Sequence, residues 1–229
     1  MTEWIIRPFV PSDRERLNAL FVRAGAGSPS SELWGHAESE RAVYLDPYVE
    51  LEPDSLFLAE VDGELVGYLT GCRDSSRLPG EDERITRVIK QYRLMTRPRT
   101  IGFFLRATAD MVWAKVRQEE TVSGEFSDPR WPAHLHINVA PEARGSGVAG
   151  ALMQRWIDRL TDSGSPGCYL QTLVENTRAV RYFERMGFSA HGSTPLVPGI
   201  RHQHRRLHQL TMVRPPAELE AAGPAAEVR

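Results

Sequence analysis

The chain has 229 residues, 28 Lys plus Arg against 30 Asp plus Glu, a formal charge of −2 and 41% hydrophobic residues. That length fits one large domain or one domain with a substantial insert, and the apolar share excludes wholesale disorder, a collagen-like chain and a disulfide scaffold. The near-neutral balance argues against a dedicated nucleic-acid binder, which carries a strongly basic domain.

Residues 4–9 read as a first strand. Pro11, Ser12 and Asp13 then start a helix with Leu17, Leu20 and Phe21 at helical spacing. The Gly/Ser-rich run at 24–35 is expected to be loop. A second helix is expected over 38–44, stopped by Asp46-Pro47. The runs LFLAEV and ELVGYLTG flank Asp62-Gly63, the strongest short hairpin signal there is. Residues 73–132 are the least regular. Within them 84–95 places Ile85, Val88, Ile89, Tyr92 and Met95 on one helical face, and 101–116 reads as another helix. After Trp131-Pro132 come the strand AHLHINV, a Gly-rich turn and the helix GALMQRWIDRL. The strand CYLQTLV and the helix TRAVRYFERM follow, ending at Gly187. Strands near Phe188 and at 207–213 finish the fold, and the tail 215–229 is expected to be disordered. Strands alternating with helices in the second half imply an α/β arrangement with part of the sheet parallel.

Cys72 and Cys168 sit far apart in strand-like runs, too few for a disulfide framework or a zinc site, so a reducing cytoplasm is the expected compartment. The segment MTEWIIRPFV lacks the pattern of a secretory signal, and no stretch approaches the ~18 apolar residues of a membrane span. No membrane and no nucleic acid are therefore expected as partners.

The most informative stretch is the turn Val139-Ala140-Pro141-Glu142-Ala143-Arg144-Gly145-Ser146-Gly147-Val148-Ala149-Gly150. Pro141 ends the strand because it has no N–H for a ladder. Gly145 and Gly147 allow close backbone approach, and the following helix presents unpaired N–H groups at its positive end. Such a turn suits an anion such as a pyrophosphate, and it also reads as an ordinary strand-to-helix turn. The spacing is neither the G-x-G-x-x-G of dinucleotide folds nor a P-loop.

Arg144-x-x-Gly147-x-Ala149 after V-x-P resembles the R/Q-x-x-G-x-G/A signature of the GNAT acetyltransferases. Asn176-x-x-Ala179-x-x-Tyr182-Phe183-x-x-x-Gly187-Phe188 looks like the later helix-and-strand motif of that family. The runs WPAHLHINVAPEARGSG and DPYVELEPDSLFLAEVDGELVGYLTG are also similar to acetyltransferase-like proteins related to the C-terminal domain of O-GlcNAcases. The resemblance implies a GNAT fold, a mixed six- to seven-stranded sheet flanked by helices. One domain over 1–214 would carry a helical insert at about 73–130. It further implies acetyl-CoA as co-substrate. Arg144, Gly145, Ser146, Gly147, Val148 and Ala149 would hold its pyrophosphate. The strand through Ile137 and Val139 would pair with the pantetheine arm, Asn176 would contact that arm, and Phe183 would stand where the family often has a tyrosine acid. A V-shaped opening between 133–139 and 168–174 would admit the arm.

Amine acetylation requires removal of a proton from the acceptor ammonium, donors for the oxyanion and a proton for the departing thiolate. His134, His136 and Asn138 alternate on one strand face, and a neutral imidazole suits proton removal. His136 and His134 are the candidate bases, and hydrogen-bonded packing is the alternative for each. Phe183 cannot supply an acid. Tyr182 is the nearest candidate, although one helical step turns it about 100° away. His202, His204 and His208 have no carboxylate or Cys near them in sequence, so no metal is expected.

Seven acids (Glu32, Glu38, Glu40, Asp46, Glu50, Glu52 and Asp54) face a single Arg41, an acidic rim that would attract a cationic amine if it is not simply a solvated face. Arg84, Arg87, Lys90, Arg93, Arg97 and Arg99 follow with no acid among them, and the first four form a helical stripe. The resulting expectation is an N-acetyltransferase acting on a primary amine of a small molecule by direct attack in a ternary complex, as a monomer or homodimer. A non-catalytic acyl-CoA-binding module and a protein N-acetyltransferase are the alternatives.

Overall fold

The computed structural model describes residues 4–25, 33–122, 124 and 126–215. Asp62 and Gly63 turn the chain between β2 (Leu56–Val61) and β3 (Glu64–Cys72), as the two apolar runs require. β1 (Trp4–Pro8) lies antiparallel along β2, and β4 (Ala133–Val139) antiparallel along β3. β5 (Cys168–Leu173) joins β4 in parallel. β8 (Arg205–Arg214) runs antiparallel to β5, and both β6 (Ser189–His191) and β7 (Leu196–His202) pair with β8. The order β1-β2-β3-β4-β5-β8-β6, with β7 on β8, makes a mixed sheet of eight strands, one more than the sequence pattern suggests. The additional strand is β7. Pro198 and Gly199 interrupt its apolar pattern, and the register with β8 shifts between Val197 and Arg201.

Helices cover both faces. α1 (Arg14–Gly25) buries Leu17, Leu20 and Ala24 against Leu56, Leu58 and Tyr68. On the other face α6 (Val148–Asp162) buries Val148, Leu152, Met153, Trp156, Ile157 and Leu160, an apolar stripe at helical period. Gly71 of β3 lets Trp156 reach the sheet, since a β-carbon there would lie 2.2 Å from the indole ring. α7 (Thr177–Arg185) adds Phe183 to the same core.

Three boundaries differ from the sequence reading. α2 (Ala37–Tyr44) is followed after Leu45 by α3 (Asp46–Leu51), so Pro47 opens a helix instead of merely closing one, a role that suits proline in a first turn. α4 (Glu81–Gln91) begins three residues before Arg84, because Glu81, Asp82 and Glu83 favour the positive helix end. It stops before Arg93, whose φ of 51° cannot continue a helix. α5 (Pro98–Arg117) matches the second helix of the insert. Trp34, Val43, Val88, Leu94 and Phe104 form a core of their own between α2, α4 and α5. Buried Asp110 of α5 ties the insert to the β7–β8 hairpin, accepting from Arg201 at 2.6 and 2.7 Å and from the Gly199 N–H at 2.9 Å. Residues 216–229 of the expected tail 215–229, residues 26–32 of the expected loop 24–35 and, with them, Glu32 of the acidic run lie outside the described residues.

Candidate active site

β4 is hydrogen-bonded to β3 along six register pairs but to β5 at only two, Ala133 with Cys168 and His134 with Tyr169. From Leu135 onward β5 forms no further pair with β4, so that edge of β4 has no strand partner on the β5 side. Ile137 and Val139 lie on this part of β4, their side chains against the α6 core.

The 140–147 turn stands at the end of β4. Gly145 and Gly147 have φ of +89° and +92°, so both occupy left-handed backbone. A β-carbon would meet nothing within 4 Å at Gly145 and only the Trp4 indole nitrogen at 4.0 Å at Gly147, so conformation and not crowding demands glycine there. The first helical bond of α6 runs from Ala151 N–H to Gly147 O, which leaves the amides of Val148 and Ala149 ahead of it. Arg144 turns back to donate to the carbonyls of Val139 and Ala24, and the Ser146 hydroxyl donates to Ala143 O, so both side chains brace the turn. The open surface, the paired left-handed glycines and the helix N-terminus fit a pyrophosphate.

Tyr182 donates its hydroxyl to the carbonyl of Ala149 at 2.7 Å, which fastens α7 to the first turn of α6. Asn176 caps α7, its side-chain oxygen accepting from the Ala179 N–H at 3.3 Å. Phe183 is buried, with Phe188 6.0 Å away in an edge-on arrangement. Cys168 is buried as well, and burial pushes its thiol up to about 12.

On the opposite face of β4 the polar side chains come together. The Tyr48 hydroxyl of α3 lies 2.7 Å from His134 Nε2 and 2.9 Å from His136 Nε2. His134 Nδ1 is 2.6 Å from Ser75 Oγ, and Asn138 donates to the Tyr68 hydroxyl at 3.0 Å. A cavity of about 20 Å³ sits here, lined by Tyr48, Glu81, Arg84, His134, His136 and Gln171 of β5. Burial, the neighbouring His136 and the Arg84 guanidinium hold His134 well below the usual imidazole range. Burial and Arg84 lower His136 to about 4. Both rings are therefore neutral at physiological pH. A larger open cleft of about 520 Å³, with Arg14, Glu50 and Asp54 on its walls, lies by β1 at the far edge of the sheet. The unpaired edge of β4, not this cleft, joins the anion turn to titratable groups.

Two electrostatic expectations change. Arg84 leaves the basic stripe, since its side chain is buried and donates to Val43 O at 2.6 Å, whereas Arg87 is exposed and bonds Glu83. In the acidic run Asp46 pairs with Arg14 and Arg41, Glu52 with Arg73 and Arg77, and Glu40 accepts from the amides of Gly35 and His36. His208, without acidic neighbours in sequence, meets Glu175 at 2.9 Å and Glu119 at 3.5 Å. Sequence reasoning missed Tyr48, Ser75 and the inward turn of Arg84. Tyr48 was hidden because Asp46-Pro47 signals a stop, and Ser75 because its partner is 59 residues away.

The site thus combines a mixed sheet, whose central parallel strands pair over only two positions, with a glycine turn at a helix N-terminus. The chain belongs to the Acetyltransferase (GNAT) family, whose sequence signature matches residues 21–188. Members of that family use acetyl-CoA. Over 94 residues the chain is 32% identical to a mycothiol acetyltransferase of Streptomyces griseus subsp. griseus, a match covering 39% of this chain and 28% of that protein. Over 53 residues it is 43% identical to the mycothiol acetyltransferase of Pseudarthrobacter chlorophenolicus, covering 23% of this chain and 16% of that one. The matched segments thus span under a third of these relatives. The fold is also that of SsHAT, at a TM-score of 0.56 and 23% identity over 92% of this chain and 98% of the other. The Salmonella typhimurium protein yncA, solved with its cofactor acetyl-CoA, superposes at a TM-score of 0.57 with 16% identity, over 97% and 98% of the two chains. No helix among the described residues is long and apolar enough to cross a membrane.

Proposed function

We propose that this chain is an acetyl-CoA-dependent N-acetyltransferase that acts on a primary amine of a small molecule, by direct attack within a ternary complex. The observation that carries this reading is the β4 edge left unpaired by β5, with the glycine turn at one end and two neutral histidines at the other. Acetyl-CoA supplies the activated acetyl group as a thioester. The N–H groups of Gly145, Gly147, Val148 and Ala149 bind the pyrophosphate, while that of Ser146 closes the turn on Ala143 O; the β4 edge through Ile137 and Val139 orients the pantetheine, and Asn176 lies at its flank. The amine nitrogen bonds the acetyl carbon and the C–S bond breaks. His136, two residues past the last β4–β5 pair and with only one ring nitrogen engaged, accepts the proton of the attacking amine, and the CoA thiolate leaves to take its proton from water. Both nitrogens of His134 are engaged, so it serves His136. The Tyr182 hydroxyl is committed to Ala149, and we assign it to holding the α6 turn. The small-molecule acceptor accords with the activity named for the mycothiol acetyltransferases. We further propose a cytoplasmic monomer or homodimer, with residues 1–214 as one domain and kinship to the O-GlcNAcase-related acetyltransferases.

Release of free thiol from acetyl-CoA with a panel of amines tests the proposal. Amine-dependent release supports it. Tight CoA binding with no release for any amine favours the non-catalytic module, a second reading that rests on Phe183 and on the committed Tyr182 hydroxyl.

A further inference from the structure

We propose that Ser75, His134 and Tyr48 form a directional hydrogen-bond relay that fixes the ring tautomer of His136, leaving the lone pair on its Nδ1. The inference deepens the reading of His136 as proton acceptor and depends on it only for the effect on turnover. The direction follows from one fixed end. The Pro132 carbonyl can only accept, and Ser75 Oγ lies 2.8 Å from it, so the serine hydroxyl donates there. The serine oxygen, 2.6 Å from His134 Nδ1, must then accept, which places the His134 proton on Nδ1. Nε2 of His134 is left as an acceptor for the Tyr48 hydroxyl at 2.7 Å. The phenol oxygen in turn accepts from His136 Nε2–H at 2.9 Å, and Nδ1 of His136 keeps its lone pair. In the reverse direction the Pro132 carbonyl would keep only the Ser75 N–H, at 2.8 Å, and Ser75 Oγ would lie 2.8 Å from that oxygen with no proton between them.

The surroundings keep the relay neutral. Glu81, Tyr169, the Cys72 thiol and the Arg84 guanidinium, which also donates to the Tyr48 oxygen, are the titratable or charged groups against it, and burial with the Arg84 charge opposes a second proton on either ring. The Tyr48 ring meets both imidazoles edge-on, with centroids 5.6 and 5.4 Å away, which holds its hydroxyl between them. Ser75 is thus a positioning residue two side chains removed from His136. Without its oxygen nothing holds the proton on His134 Nδ1, and the relay relaxes toward the reverse tautomers.

Nitrogen-15 NMR of the histidine rings at neutral pH reads the relay directly. The expected signature is a protonated Nδ1 with a bare Nε2 for His134, and the opposite for His136. Ser75→Ala should populate the reverse pair and lower kcat about tenfold, part of a general base's contribution, with KM for acetyl-CoA unchanged. Ser75→Thr should restore both. Reversed tautomers in the native protein, an imidazolium at either ring, or tautomers indifferent to Ser75→Ala would overturn the relay. Expected tautomers together with turnover unaffected by Ser75→Ala and by His136→Ala would instead remove His136 as the base.

Discussion

At the scale of single residues, burial decides what His136 can do. A ring lowered to about 4 is uncharged throughout the neutral range, so it is always ready to accept a proton, although it holds one weakly. It can serve an amine because the attacking nitrogen becomes acidic as its bond to carbon forms, and a base is needed only at that moment. Protonated His136 cannot accept, so its own limb of the rate profile is lost as pH falls through about 4. Any rise in rate between roughly pH 6 and 9 must then report loss of the acceptor's ammonium proton. His136→Ala should lower kcat about a hundredfold while keeping that rise, as read by initial rates of thiol release across the pH range. A limb near 6.5 present in the native enzyme and missing from the variant would show that burial does not lower the ring as described.

At the scale of the elements, the chain's own local signals separate those that are legible in the sequence from those that are not. The β2–β3 hairpin, β4, α6 and α7 were legible because each combines an apolar period with a terminating Gly or Pro. α3 and β7 were not, because Pro47 and Pro198 signal breaks and only tertiary contacts reveal their other roles. For the same reason the anion turn was readable from its glycines, while the Tyr48–His134–Ser75 chain was not. The turn gives a direct test. Gly147→Ala puts a β-carbon on φ +92° at the N-cap of α6, a strain of about 1–2 kcal/mol with space available for the methyl itself. Reorienting the amides there should weaken CoA binding about tenfold by calorimetry while the circular dichroism spectrum stays unchanged. Asp110 offers the complementary test of the insert. Burial pushes its carboxyl up, yet Arg201, the Gly199 N–H and Arg206 together hold it below the usual range. Asp110→Asn should therefore destabilise the protein by about 3 kcal/mol in urea unfolding, since it removes the charge that Arg201 and Arg206 share.

For the whole molecule, the charge of −2 averages over groups of which several are paired with one another. Asp46 and Glu52 pair with arginines, and Arg84 lies inside the insert beside the two histidines, so the total says little about the field an acceptor meets. What the molecule as a whole does respond to is pH. His134 and His136 both have folded values below the 6.5 of an unperturbed imidazole. Between 6.5 and about 4 the unfolded chain therefore binds protons at these positions that the folded chain does not. Stability must rise with pH in that window, is fully present above 6.5, and falls as acid protonates the unfolded rings, by on the order of 1–3 kcal/mol per pH unit for two such groups. The carboxylates of Asp13, Asp110 and Glu175, held low by their arginine and histidine partners, add to the loss only at lower pH. Thermal melts from pH 8 down to about 5 should show Tm declining from near 6.5. In a His134→Asn/His136→Asn double variant the same decline should flatten whatever the variant's absolute stability, because the two protons that drive it are no longer taken up. Parallel curves for the two proteins would mean that the histidines are charged in the fold, and with that both the neutral relay and the reading of His136 as a proton acceptor would be lost.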